Sequence, residues 1–512
     1  MGAATATSRV FGFSRVLVIA AVLGTTHLGN AFQGSNLVSN VLFELLAAGA
    51  LSAVLVPGFV ELFHSGRDRD AEVLAGGLLG FGLAAMGAVA VVGVVFAPQI
   101  ATVLSGGVAD PETAEAQREL STFLLRFFIP QVMLYAIGAV ATAVLQARRR
   151  FTVSAAAPIA NTVIMVAGLA VFALLRDGQA PSLAVTTTEK VVLGVAGTLG
   201  VAGFVAVPTF VLVRSGFRLR PRFGWRDPLV RRTLHHAAWA GFQNASVGIL
   251  LAAALVVGMA VPGGVVAYYV AYVFFLVPYA VLGQSIHDTI LPDLTQHVAE
   301  GDLTAFGRSL RWGLDALALL VVPAAAGYVA LAEPIMRAVN FGETTPVGVS
   351  MMGSALTALA LGLFPYSVFL LLTRASYALA DARTPTIVSV GSALGGAVFM
   401  FAVGPSQGPT GRLFVMGLGL ALAYTVGAIV LGIFVARRSG VSLLPAALAR
   451  SMPVAAVAGA GMWVGWRAID PSGRPASIAV LAGLGALGTA LYVGVIHPPA
   501  LGRMRAQGRS IP

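Results

Sequence analysis

The chain of 512 residues has no cysteine, a single lysine (Lys190) and only 10% charged residues. The missing cysteines remove disulfide staples, thiolate metal sites, iron–sulfur clusters and cysteine nucleophiles together, and leave the redox compartment unreadable. The shortage of charge excludes more. A soluble domain runs at about 25% charged and about 45–50% apolar residues, whereas hydrophobic residues make up 57% here. Too little polar side chain is left to cover a water-exposed surface, so this is a membrane protein. Phosphate-cradling G-x-x-x-x-G-K-[ST] is absent, and so is H-E-x-x-H: the seven histidines are scattered. The sequence offers no constellation for enzymatic chemistry, no metal ligand set and no cofactor motif, which reads as a non-enzyme.

What is present is apolar and long. A helix needs roughly 20 predominantly apolar residues to cross a hydrocarbon core of about 30 Å. About fourteen such stretches occur, near 9–28, 37–62, 73–100, 120–146, 152–175, 190–213, 240–261, 264–289, 309–332, 350–377, 384–404, 412–436, 447–468 and 475–497. Runs such as Leu250–Met259 do not alternate, which argues against a β-barrel. The fold class predicted is an all-α polytopic membrane protein. The first stretch, with Arg15 inside it and no small-residue cleavage site after it, reads as a retained helix rather than a signal peptide.

The charges that exist are mostly topological. With the N-terminus cytoplasmic, 23 of the 32 basic residues fall on the inner side, eight on the outer side, and Arg15 within the membrane. That bias predicts both termini inside and an even number of spans. The densest cluster, Arg214 to Arg232, holds seven arginines in nineteen residues. On the inner face it attracts anionic lipid headgroups, which accounts for much of the net charge of +11 without nucleic acid. It also divides the chain: a lobe of six spans over 1–213, the basic loop 214–238, a second lobe of six spans over 239–438, and two last spans with the tail over 439–512. A faint echo supports repeated lobes. The second span runs from Ala31 through Gln33, Ser35, Asn36 and Asn40 to Pro57, and the eighth from Ala267 through Tyr268, Tyr269 and Tyr272 to Pro292. Prolines 130, 158, 208, 278, 323 and 365 interrupt helical patterns, and small-residue pairs such as Gly76/Gly80 and Ala196/Gly200 favour close helix packing.

Polar groups inside spans carry the functional information, because a charge at the bilayer centre costs at least about 2.5–3.5 kcal/mol on insertion scales. Arg15, Glu44, Arg126 and Asp315 stand out, with Asn36, Asn40, Asn161, Gln243, Asn244 and Gln284 as uncharged company. Glu44 is either a cavity carboxylate or one side of a helix–helix bond. Arg15 either snorkels to the inner interface or contacts a substrate phosphate. Arg126 and Asp315 lie near span ends and read as interfacial.

Several runs resemble a known family. Ser8-Arg9-Val10-Phe11-Gly12-Phe13-Ser14-Arg15, then Gly49-Ala50-Leu51-Ser52 and Val56-Pro57, are similar to the opening of the MviN/MurJ family. So are Ile290-Leu291-Pro292-Asp293-Leu294-Thr295, Ala299-Glu300-Gly301-Asp302, Pro323-Ala324-Ala325 and Leu331-Ala332-Glu333-Pro334-Ile335. Arg374-Ala375-Ser376-Tyr377-Ala378-Leu379 with Asp381-Ala382-Arg383-Thr384-Pro385 matches the family's R-x-x-Y-A-x-x-D-x-R-T-P. The resemblance implies two six-helix lobes around a central cavity, with two C-terminal helices forming a lipid-facing groove. It also implies carriage of lipid II, a polyprenyl-pyrophosphate-linked peptidoglycan precursor, across the bacterial cytoplasmic membrane by alternating access. Arg9 and Arg15 match two of the family's cavity arginines. The family's aspartate after the first span aligns with Asn30, its second-span arginine pair with Phe43 and Glu44, and its eighth-span arginine with about Val273.

The expected substrate-binding residues are therefore Arg9, Arg15, Asn30, Asn36, Asn40 and Glu44, with the two arginines on the pyrophosphate. Two other functions compete with this one. The chain is a non-transporting paralogue that acts as scaffold or regulator of envelope assembly, or it exports another lipid-linked glycan or a drug with Glu44 as coupling carboxylate.

Overall fold

The computed structural model describes residues 2–43, 49–222 and 246–508, with side chains at 11–43, 55–222 and 246–496. Glu44, Gln243, Asn244 and the arginines from Arg226 to Arg232 lie outside the described residues. The backbone of Arg9 is described, its side chain is not.

Among the described residues the regular structure is helical throughout, with no strand. The helices are α1 (Gly2–Leu23), α2 (His27–Phe43), α3 (Gly49–His64), α4 (Asp68–Val95), α5 (Ala97–Ser105), α6 (Pro111–Phe128), α7 (Gln131–Ala147), α8 (Phe151–Arg176) and α9 (Thr187–Arg214). They continue as α10 (Ser246–Met259), α11 (Gly264–Pro278), α12 (Gln284–Ala299), α13 (Leu303–Val339), α14 (Pro346–Leu361), α15 (Leu363–Ala378), α16 (Arg383–Val403), α17 (Pro409–Ser439), α18 (Leu448–Ile469) and α19 (Arg474–Gly508). Nine spans among the described residues are long and apolar enough to cross a membrane, or ten when α14 and α15, bent by 46°, count as one. The fourteen stretches expected from sequence exceed this number. The difference falls on α18 and on short apolar pieces such as Phe11–Leu23, Leu55–His64 and Ser246–Met259.

Contacts divide the chain into two units, Met1–Val266 with Phe341–Thr345, and Ala267–Asn340 with Pro346–Pro512. In the first unit, one core joins α1, α2, α6, α8 and α9 through Leu23, Leu28, Phe32, Leu124, Phe128, Leu169 and Leu193. A second joins α3, α4 and α7 through Leu55, Phe59, Leu74, Val140 and Val144. Lipid tails are as apolar as leucine, so close packing rather than escape from water holds such helices together. The small residues serve that packing in two ways. Gly168 lets α8 approach Ala196 on α9, where a Cβ would sit 2.3 Å from the alanine's own. Gly76 and Gly80 admit main chain instead of a helix: Arg222 N–H donates to Gly76 O at 2.9 Å, and a Cβ on Gly80 would meet Arg222 O at 2.1 Å.

Arg176, expected as an outer-loop charge, is buried. It faces Glu189 at 3.7 Å and donates to the carbonyls of Ala180 and Ala184 and to Ser182 Oγ. Glu189 in turn closes a capping box with Thr186 that starts α9. Loop 177–186 is thus tied down by one cation.

In the second unit α13 is the axis, packed by α12, α14, α15, α18 and α19. Its Asp315 accepts from Ala447 N–H at 2.9 Å and so caps α18. The bend at Gly362 brings backbone against Ala421, 2.7 Å from where a Cβ would stand. Pro365 falls in the first turn of α15, where its missing N–H costs nothing.

Candidate functional site

Among the described residues of the first unit, the polar row on α2 is the densest run of buried polar side chains: Asn30, Gln33, Ser35, Asn36 and Ser39 are all buried. Most of it is spent internally. Ser35 and Ser39 donate to the carbonyls of Ser121 and Phe128 on α6, and Asn40 Oδ1 accepts from Tyr135 on α7 at 2.7 Å. Asn30, fully buried, donates to Val261 O at 2.6 Å and Met259 O at 3.4 Å, and accepts from Val265 N–H at 3.0 Å. It pins the turn between α10 and α11. Gly263 in that turn has φ +69°, and a Cβ there would lie 2.2 Å from the carbonyl carbon of Thr25, so glycine is required twice over.

The α1–α2 turn is held from another side as well. Glu343 N–H donates to Ala21 O at 2.8 Å, Thr345 N–H to Thr25 Oγ1 at 3.0 Å, and the two threonine hydroxyls meet at 2.9 Å. Gln117 links the arrangement to α6, with Met259 O at 3.2 Å and His27 Nδ1 at 2.6 Å.

Two of the expected residues keep polar capacity. Arg15 on α1 is half-buried, and its Nε–H has no hydrogen-bond partner among the described residues. Asn36, two helical turns beyond Asn30, keeps a buried Nδ2 without a partner. Asn161 on α8 likewise has a buried, unpaired Oδ1. Buried polar groups are normally satisfied, so a cation and two amides with unspent bonds mark where a polar ligand gains most. Arg126, read as interfacial, is exposed and lines an open cavity of about 450 Å³ with Arg118, Glu115 and Glu119.

The second unit holds a cluster that the sequence reading missed. Tyr268, Tyr272, Phe275 and Tyr279 follow one face of α11 into a π-helical turn, Tyr279–Gly283. Tyr366 stands edge-on to Phe275, Tyr279 and Tyr424, with ring centroids 5.3, 4.9 and 4.7 Å apart. His287 is fully buried beside them, its Nε2 3.1 Å from Ser367 O and its Nδ1 3.4 Å from Tyr279 Oη. Spacing of the rings at i, i+4, i+7 and i+11 was the available signal. Tyr366 and Tyr424 had none.

The R-x-x-Y-A-x-x-D-x-R-T-P run resolves into structural bonds. Arg374 pairs with Asp288 at 2.8 Å. Asp381 accepts from the N–H groups of Arg383 and Thr384 and from Thr384 Oγ1 at the start of α16, and faces Arg438 at 3.6 Å. Burial alone would raise its carboxyl, but the Thr384 and Arg383 bonds and the Arg438 guanidinium hold it below the usual carboxylate range.

A family model described as lipid II flippase MurJ matches residues 19–469. The chain belongs to the MurJ family. Among its relatives, the probable lipid II flippase MurJ of Vibrio cholerae serotype O1 is 27% identical over 397 residues, 75% of this chain and 73% of that one. The lipid II flippase MurJ of Burkholderia cenocepacia is 27% identical over 423 residues, 82% of this chain and 80% of that one. A solved lipid II flippase MurJ in an inward closed conformation has the same fold, with TM-score 0.72 and 16% identity over 96% of this chain and 98% of that one. A multidrug resistance MATE family transporter of the MOP superfamily follows at TM-score 0.65 and 11% identity, over 85% and 94% of the two chains. This MurJ-family chain is therefore a multi-pass membrane protein of the MurJ/MATE fold. Its fold is shared with both solved proteins, while Phe43 stands on α2 and Val273 on α11, at positions where the family resemblance leads one to expect arginines.

Proposed function

We propose that the chain translocates lipid-linked peptidoglycan precursor, lipid II, across the bacterial cytoplasmic membrane by alternating access, with both termini cytoplasmic. The observation that carries the reading is Arg15: a half-buried guanidinium in the first helix of a MurJ-family chain, with an N–H left unspent. A cation of that kind offers a charge-assisted bond to a pyrophosphate, roughly twice as strong as a neutral one. Arg9 lies two turns earlier on the same helix and serves the same anion. Asn36 supplies its free amide, Asn40 with Tyr135 and Glu44 complete the polar lining, and Asn30 acts as a positioning residue through the turn it holds. The polyprenyl tail stays in lipid along the last two helices.

Fourteen spans, in lobes 1–213 and 239–438 around the basic loop, with 439–512 appended, belong to the same proposal. Asn30 and the α1–α2 turn are bonded to 259–265 and 341–345, all within the first unit. We take these bonds as a latch that holds the outer end of this unit and is released in the transport cycle. The basic loop rests on anionic headgroups at the inner surface. Transfer of fluorescent lipid II across vesicles that contain the purified protein tests the function directly.

A further inference from the structure

A cavity of about 480 Å³ opens in the second unit between the ends of α13 and α18, lined by Glu333, Arg337, Trp463, Trp466, Arg467 and Asp470 among others. Its charges are unevenly spent. Glu333 and Arg337 pair with each other at 2.8 Å on successive turns of α13. Arg467 lies over the Trp463 ring, 4.5 Å from its centroid, and makes no ion pair among the described residues. Asp470 ends α18 in a left-handed conformation, φ 37°, and among the described residues only its backbone N–H is engaged, on Trp466 O. One free cation and one free anion thus stand three residues apart on a wall of two tryptophans.

This is the end of α18 that gives way to the polar Asp470–Arg474 turn, so the cavity lies at a membrane–water boundary, where tryptophan settles at headgroup level. Away from it, Val464 and Val457 expose apolar side chains along the same helix, a track for an acyl chain. We infer that the cavity is a binding site for one amine-bearing zwitterionic phospholipid: Arg467 takes the headgroup phosphate, Asp470 the ammonium, and Trp463 and Trp466 the glycerol region. A choline headgroup satisfies the arginine but offers no N–H to the carboxylate, so the site selects ethanolamine over choline. The orientation proposed above makes this an outer-leaflet site, but the inference needs only the boundary.

The test uses the full-length protein in nanodiscs of equal phosphatidylethanolamine and phosphatidylcholine, followed by native mass spectrometry of the lipid retained on release. Wild type should keep one phosphatidylethanolamine in preference to phosphatidylcholine by roughly fivefold or more, the scale of a single partly exposed charged hydrogen bond. Asp470→Asn should erase the preference and keep the lipid. Arg467→Gln should lose both lipids, and Arg467→Lys should restore them, which separates phosphate binding from a folding defect. Equal retention of both lipids by wild type, or an Asp470→Asn variant that still selects, overturns the inference. So does quenching of tryptophan fluorescence by diacetylchitobiose without lipid selection, which would assign the cavity to a saccharide.

Discussion

Replacing Asn30 tests the latch in energetic terms. Asn30→Ala removes a donor from Val261 O at 2.6 Å and an acceptor from Val265 N–H at 3.0 Å, in a position that water does not reach. A net hydrogen bond contributes about 0.5–1.5 kcal/mol in water and about 0.6 kcal/mol on average between membrane helices. Two good bonds, with one buried N–H left stranded, set the loss at about 2 kcal/mol, or roughly 30-fold in the balance between latched and released forms. Asn30→Asp is more discriminating. As a carboxylate it aims an acceptor at Val261 O; as the protonated acid, its O–H donates there while the other oxygen accepts from Val265 N–H, which reproduces the amide. The variant should therefore approach wild type as pH falls and approach Asn30→Ala as pH rises, since burial raises a carboxyl pKa.

The native chain has no cysteine, so it is its own labelling background. Gln33→Cys, buried one turn from Asn30, reports access by a maleimide added from outside right-side-out vesicles. Labelling should accelerate at least tenfold when Asn30→Ala is added, with the unfolding temperature measured in parallel to separate release from loss of fold. Unchanged labelling in folded protein refutes the latch.

Other outcomes follow from single groups. Arg15→Ala should abolish rescue of a flippase-depleted strain at equal membrane expression, and Arg15→Lys should retain part of it; normal growth of the alanine variant removes the phosphate role. Arg176→Ala leaves buried Glu189 without its cation and loop 177–186 without three bonds, so it should destabilise the first unit by about 3–5 kcal/mol; unchanged thermal unfolding would show that the pair and the loop bonds contribute nothing. Because the carboxyl of Asp381 is held low in the fold, its stabilisation is full above the ordinary carboxylate pKa and disappears as pH falls through the folded value. Asp381→Asn should flatten that acid limb in a melting-temperature profile, and an unaltered limb would assign it elsewhere.

Composition was enough for the all-helical membrane class, because hydrophobic length is a one-dimensional property. The order of motifs was enough for the family. Bonding was not legible in the same way. Asn30 and Asn36 look alike on one helix, yet one is fully engaged by a turn some 230 residues away and the other keeps a free amide. Asp315 reads as an interfacial charge and proves to cap α18, because its partner is the backbone of Ala447 and carries no side-chain signal. Gly76 and Gly80 announce close packing without saying that main chain, not a helix, fills the space. His287 looked isolated since Ser367, 80 residues away, reaches it only through the fold.

The most direct measurement of the central claim is lipid II movement in proteoliposomes that contain this chain alone. Fluorescent lipid II in the inner leaflet should become accessible to an externally added headgroup-modifying enzyme faster than in protein-free vesicles, and Arg15→Ala should reduce the rate to the protein-free level. A wild-type rate equal to that of empty vesicles, from protein that is folded and inserted, would contradict the account.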